Sequence, residues 1–353
     1  MTAHPRTRIL TCILVIALGQ VAVSPVAAQR LSDRVRLVRG SESGEVTDMS
    51  QTEITLNKGL PGNRPVAVHV IRSVVFDGEP SELSQARISA ANGNYRKALD
   101  ALEKVDVAAI RRDFIKQDIE FYKAFCAGKL AVSGNEEIVE AGRQLNSFVR
   151  AYPKNFHYLA ATELMGDLLM ADGRFEPARK QYAELAKAPW PDYKIRASVA
   201  VGRTLQAQGK HAEAIAQFDA ALAISDDSAD AENQKLSATL ARAVSQAETG
   251  GVDQAVASIE SIIQKADPQE KELHARAYNA LGNCHEKAGQ TKDALLAFLH
   301  VDVLYNTVPE AHAEALAHMA RLWEAIGQQE RARETREQLQ ERYAGSPWAK
   351  QTE

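Results

Sequence analysis

Gly173-Arg174-Phe175-Glu176-Pro177-Ala178 is one copy of a cassette that recurs along the chain: a glycine, one residue, often an aromatic or apolar residue, two more, then alanine. It reads Gly93-Asn94-Tyr95-Arg96-Lys97-Ala98 upstream and Gly209-Lys210-His211-Ala212-Glu213-Ala214 downstream. It returns as Gly250-Gly251-Val252-Asp253-Gln254-Ala255, Gly289-Gln290-Thr291-Lys292-Asp293-Ala294 and Gly327-Gln328-Gln329-Glu330-Arg331-Ala332. A repeat of this period signals a stack of similar supersecondary units, none of which can bury its apolar face alone. Such stacks offer a continuous binding surface and rarely carry a reaction centre.

Around each cassette the pattern is helix, turn, helix. In the unit beginning near Leu159, a first helix carries Met165, Gly166 and Leu169, and Gly173 stops it, since glycine takes the left-handed conformation at a helix end without steric cost. Phe175, Ala178, Tyr182 and Leu185 then form an inward stripe at helical spacing. Pro189 and Pro191 close the unit. Gly166 and Ala178 are small enough to let the two backbones approach closely.

The unit starting near Ala275 follows the same plan with Tyr278, Leu281, Gly282, His285, Gly289, Ala294, Phe298 and Val301. These residues resemble the tetratricopeptide repeat, with an aromatic, Leu-Gly, an aromatic, then Gly-x-Tyr and a buried alanine. Ala243 and Ala320 replace the first-helix glycine elsewhere, and His211 replaces the aromatic after the turn. From Ala178 the cassette alanines are spaced by 36, 41, 39 and 38 residues, against about 34 in the standard repeat. The wide gap between Ala98 and Ala178 must hold a further, degenerate pair. Ile115, Ile119, Tyr122 and Cys126 give its first helical face, and Ile138, Ala141, Leu145 and Phe148 the second, ending at Pro153. The fold class expected is mainly α, a solenoid of about seven helix-turn-helix pairs over residues 80–348, preceded by a small β-barrel-like strip.

Residues 1–28 read as a signal peptide: Arg6 and Arg8, an apolar run from Ile9 to Val23, then Val26-Ala27-Ala28 before Gln29. An uncleaved anchor is the alternative, but Thr11, Gly19 and Gln20 interrupt a run already short for a span. The mature chain would be exported, with no stable membrane insertion. Of the two remaining cysteines, Cys126 and Cys284 lie about four units apart, which points to two buried thiols rather than a disulfide.

Residues 33–79 have a different rhythm. Thr52-Glu53-Ile54-Thr55-Leu56, Val66-Ala67-Val68-His69-Val70-Ile71 and Ser73-Val74-Val75-Phe76 alternate between Gly, Asn and Pro turns. This reads as four or five short strands and resembles an SH3-like or Sm-like strip. So small a core would lean on the first helical pair.

Composition is that of an ordinary globular chain, with 353 residues, 45% of them hydrophobic and 25% charged. A formal charge of −4 argues against general polyanion binding, so no nucleic-acid partner is expected. Arg30, Arg34, Arg36 and Arg39 form a local basic run, read as a solvated strand face. There is no phosphate loop, His-Glu-x-x-His or Cys-x-x-Cys. Cys284, His285 and Glu286 are consecutive and point in different directions on a helix; His285, at an aromatic position, is read as a packed core residue. His312 and His318 are too far round a helix to share a metal. Asp226, Asp227 and Asp230 suit a helix cap better than a calcium loop. No catalytic residue, metal or cofactor is expected, and the chain is read as a non-enzyme.

The expected function is a protein-interaction scaffold of a bacterial periplasm or cell envelope, binding a protein or peptide of unidentified kind. Phe148-Val149-Arg150-Ala151-Tyr152-Pro153 and Arg342-Tyr343-Ala344-Gly345-Ser346-Pro347-Trp348 resemble the helix ends of envelope tetratricopeptide proteins. The other reading is an accessory domain of an envelope enzyme or secretion complex whose β unit binds glycan or nucleic acid. In the tetratricopeptide family the first helix of each pair lines the concave face. Carried onto this chain, that resemblance implies a peptide groove of Arg196, Arg203 and Gln206, then Arg276, Asn279, Asn283 and Glu286, then Arg321 and Glu324, with Glu163 and Asp167 one unit earlier. Arginine and asparagine offer directional donors to a carboxylate or an extended backbone. Ser237, Leu240 and Val244 interrupt the polar row in the intervening unit.

Overall fold

Each cassette glycine ends a first helix. Gly173 has φ +70°, and its N–H donates to Met170 O at 3.0 Å while Arg174 N–H donates to Leu169 O at 2.8 Å. Carbonyls orphaned at the helix end are thereby satisfied, and the same arrangement returns at Gly209 and Gly289. The computed structural model describes residues 31–59, 62–134 and 136–350. The apolar run of residues 9–23, expected to be a signal, lies outside them.

Among the described residues fourteen helices form seven pairs. They are α1 (Ser81–Ala91) with α2 (Tyr95–Leu102), α3 (Asp113–Val132) with α4 (Ile138–Ala151), α5 (Tyr158–Ala171) with α6 (Phe175–Leu185) and α7 (Pro191–Ala207) with α8 (His211–Leu222). Then come α9 (Ala229–Glu248) with α10 (Val252–Lys265), α11 (Lys271–Lys287) with α12 (Thr291–Leu304) and α13 (Pro309–Ala325) with α14 (Gln329–Tyr343). A short α15 (Pro347–Lys350) caps the stack. The degenerate pair expected between Ala98 and Ala178 is α3 and α4, with Ile115, Ile119, Cys126, Ala141, Leu145 and Phe148 all buried.

The seam inside a pair is a ring laid on a glycine. Gly166 faces the Tyr182 ring, Gly202 the Phe218 ring and Gly282 the Phe298 ring, each sixteen positions apart. A Cβ on Gly202 or Gly282 would come within 2.5 or 2.6 Å of that ring, so the absent side chain is what brings the two helices together. First helices also pack on the next first helix, α7 on α9, α9 on α11 and α11 on α13. The turn at Gly134 lies against Gly345 beyond α14, and a side chain on either glycine would meet the other's backbone.

The N-terminal segment forms five strands: β1 (Asp33–Leu37), β2 (Ser41–Met49), β3 (Glu53–Asn57), β4 (Asn63–Ala67) and β5 (Ile71–Val75). They pair antiparallel in the order β4-β3-β2-β1-β5. The sheet is open rather than closed into the barrel-like strip expected, because β4 and β5 remain at opposite edges. Its inner face shares one core with the first helices. Val35, Ile54, Leu56, Val74 and Phe76 pack with Leu83, Ala86, Leu102, Ile115 and Ile119.

Asp33 joins sheet and helices. Its carboxylate, fully buried, accepts from both terminal nitrogens of Arg112 at 2.6 and 2.8 Å and from the amides of Val46 and Asp77 at 2.7 Å. Burial pushes its pKa up, but the Arg112 hydrogen bond, the Asp77 and Val46 amides and the Arg112 charge outweigh that and hold it below the usual carboxylate value. A folded pKa below the unfolded one gives stability that is complete above the unfolded value and fades as pH falls toward the folded one. The urea midpoint is therefore expected to fall on acidification below about pH 4, and Asp33→Asn to flatten that limb. Equal acid limbs in the two proteins would overturn the assignment.

Candidate interior binding face

Polar side chains on the first helices of the later repeats come within reach of one another. Arg203 on α7 lies within electrostatic reach of Arg276 on α11, Glu310 on α13 and Asp167 on α5. Side chains from four different first helices come within reach of one another there, and α7, α9, α11 and α13 pack each on the next. Arg203 is exposed to solvent inside this space. The protein around it, followed by the Arg276 charge, pulls its pKa below the ordinary arginine value.

Most of the expected groove residues are already engaged with other side chains or backbone. Arg196 pairs with Glu163 and lies over the Tyr193 ring at 5.0 Å. Burial raises the Glu163 pKa, with Arg196 opposing it. Gln206 donates to Ala241 O at 3.1 Å, tying α7 to α9. Arg276 pairs with Glu272 at 2.7 Å on its own helix. Asn279 is buried, and its amide donates to Ala311 O at 2.8 Å and to Glu314 at 3.0 Å. Asn283 donates to the other Glu314 oxygen at 3.2 Å. Glu286 lies 2.7 Å from His318 Nδ1 and 3.4 Å from Arg321. Glu324 instead pairs with Arg336 of α14. Among the described residues Arg203 is the member of the expected set with no hydrogen-bonded partner.

Three interior residues were missing from that set: Glu310, Glu314 and His318. With Arg321 they make a polar stripe along α13 at helical spacing, a periodicity that would have found them. Glu314 is half-buried; burial raises its pKa, while His318 and the two asparagine amides oppose the rise. His318 stacks on Phe298 at 4.7 Å. Leu240 on α9 is buried, as the interruption of the polar row implied.

Of the other side chains singled out in the sequence, the two cysteines are as read and the histidines and aspartates have the surroundings that follow. His285 is half-buried rather than packed in the core, and its Nδ1 lies 2.6 Å from Gln290 Oε1 beside the turn. His312 is fully buried between Asp302 and the Tyr343 hydroxyl, 2.8 Å from each. Ser228 caps α9, and Asp226 accepts from the Ser228 amide at 2.8 Å. Cys126 and Cys284 are buried free thiols, and burial pushes both pKa values up to about 12. Among the described residues no cluster of His, Cys, Asp and Glu is arranged to hold a metal, and no helix is long and apolar enough to cross a membrane.

A stack of helix pairs with glycine-on-ring seams and an inward polar row is a helical-repeat solenoid of the tetratricopeptide type. Solved structures share the fold. A tetratricopeptide repeat protein from Parabacteroides merdae is 16% identical, covers 77% of this chain and 97% of its own, and superposes with a TM-score of 0.53. A Rap protein complexed with Competence and Sporulation Factor is 14% identical, with coverage of 74% and 73% and a TM-score of 0.54. No protein-family model matches the sequence, and no curated protein matches it.

Proposed function

We propose that the chain is a non-enzymatic interaction scaffold that binds a protein or peptide on the interior face of its helical stack. Arg203 carries this reading. It is a guanidinium facing the interior of the stack, with no hydrogen-bonded carboxylate among the described residues; the protein around it first, and the Arg276 charge second, lower its pKa. A cation held in that state gains from an incoming acceptor group, and arginine offers it paired donors. The Rap protein solved with Competence and Sporulation Factor shares the fold, which supports ligand recognition by a stack of this kind. Partners captured by crosslinking in envelope extract and identified by mass spectrometry would supply the ligand. Arg203→Ala with Arg276→Ala should then weaken binding more than tenfold, about 1.4 kcal/mol, with the melting temperature unchanged. Undiminished binding would move the site to the convex face or the sheet.

The setting we propose is the bacterial cell envelope, after export. The basic start, apolar run and small residues before Gln29 support it. N-terminal sequencing of the native protein should begin near Gln29; retention of Met1 through Ala28 would make the segment an anchor instead.

A further inference from the structure

In a repeat stack each unit normally touches only its neighbours, and small rotations between units set the curvature. The N-terminal sheet departs from that rule. Its inner face shares one core with the first repeats, a core that Phe156 and Trp190 also join, and its rim reaches the joints between later repeats at three successive places. In the β2–β3 turn, Gln51 Nε2 donates to Pro153 O, between α4 and α5, at 2.8 Å. His69, between β4 and β5, packs on Trp190 at the entry to α7, with ring centroids 4.6 Å apart. Arg72 on β5 lies 3.5 Å from Asp230 in the first turn of α9. His69 is also within electrostatic reach of Asp192 in the first turn of α7 and of Asp226 between α8 and α9.

The middle contact continues into the interior. Trp190 packs on Tyr193 at 5.3 Å, Tyr193 lies under the Arg196 guanidinium at 5.0 Å, and Arg196 pairs with Glu163. One element thus holds consecutive inter-repeat connections and abuts a ring that seats an interior arginine.

We propose that the N-terminal sheet is a brace laid along the inter-repeat connections, fixing the curvature of the interior face from α5 to α9 and seating Arg196 through Trp190 and Tyr193. A face held this way is organised before any ligand arrives, which lowers the ordering cost of binding. Gln51, His69 and Arg72 lie on the rim, and none belongs to the core shared with α1 to α3.

The test uses the full chain carrying Gln51→Ala, His69→Ala and Arg72→Ala together. Hydrogen exchange should quicken about tenfold or more at backbone amides of residues 187–195 and 224–232, which report local opening. Small-angle scattering should show a larger maximum dimension, with exchange in the sheet and in α11 to α14 unchanged. Native-like exchange and scattering would overturn the brace. Should the triple variant lose the sheet itself, Gln51→Ala with Arg72→Ala, which leaves His69 and Trp190 in place and touches no member of that core, must give the same loosening for the brace to stand. Neither readout needs a partner, so this result is independent of whether the interior face binds one.

Discussion

Arg87→Met is expected to cost about 3–5 kcal/mol of stability, the range for removing one member of a buried ion pair. Arg87 on α1 is almost fully buried. Its Nε donates to Asp118 at 2.8 Å, and its terminal nitrogens donate to both oxygens of Glu79 at 2.6 and 2.7 Å. Methionine fills similar space and removes the charge, leaving Glu79 and Asp118 as buried carboxylates without their cation. Burial pushes the Asp118 pKa up, and the Arg87 charge with the His157 hydrogen bond brings it below the ordinary value. Without Arg87 the burial effect is free to dominate and the carboxylate favours its neutral form. A carboxyl whose folded pKa has risen binds its proton more tightly in the native state, so the variant recovers stability on acidification. The gap between native and variant urea midpoints should therefore be wide at neutral pH and narrow as pH falls. Equal midpoints at pH 7 would mean that the network contributes nothing net.

Phe298→Ala should be comparably damaging, at about 3–5 kcal/mol. The ring is fully buried on α12, laid against Gly282 of α11 and stacked with His318 of α13 at 4.7 Å. Gly282 has no side chain to move into the space the ring leaves, so the cavity cannot collapse from that side. The loss would also free His318, which lies beside Glu286 and Arg321 on the interior face. Thermal unfolding followed by circular dichroism measures the cost. A shift no larger than that of a surface substitution would show that the ring-on-glycine seam is not what joins the pair.

The repeat was legible because its signals are local. Gly173 needs its left-handed conformation whatever surrounds it, and the sixteen-residue step from Gly282 to Phe298 belongs to one helical hairpin. Even the degenerate α3–α4 pair declared itself through the periodicity of Ile115, Ile119 and Cys126. The strands of residues 33–75 were likewise visible as alternation and turns.

The candidate site was legible only in outline. Position within a repeat marks a side chain as facing inward, but not what it meets there. Asn279 and Arg203 looked alike as groove donors, yet Asn279 is buried with its amide nitrogen spent between α11 and α13, while Arg203 has no hydrogen-bonded partner among the described residues. Its companions are set by the angle between successive repeats, to which no local pattern is tied.

The sequence by itself therefore determined the helical pairs, their order and the small strand-forming segment, since backbone preference and apolar periodicity act over a few residues. Tertiary structure alone decided which interior charges are spent, that the sheet stays open, and that its rim reaches Pro153, Trp190 and Asp230. The reason is physical: the rim contacts join groups roughly a hundred or more positions apart, which only the accumulated rotation of the stack brings together, while the interior charges meet across helices whose mutual angle no local pattern sets.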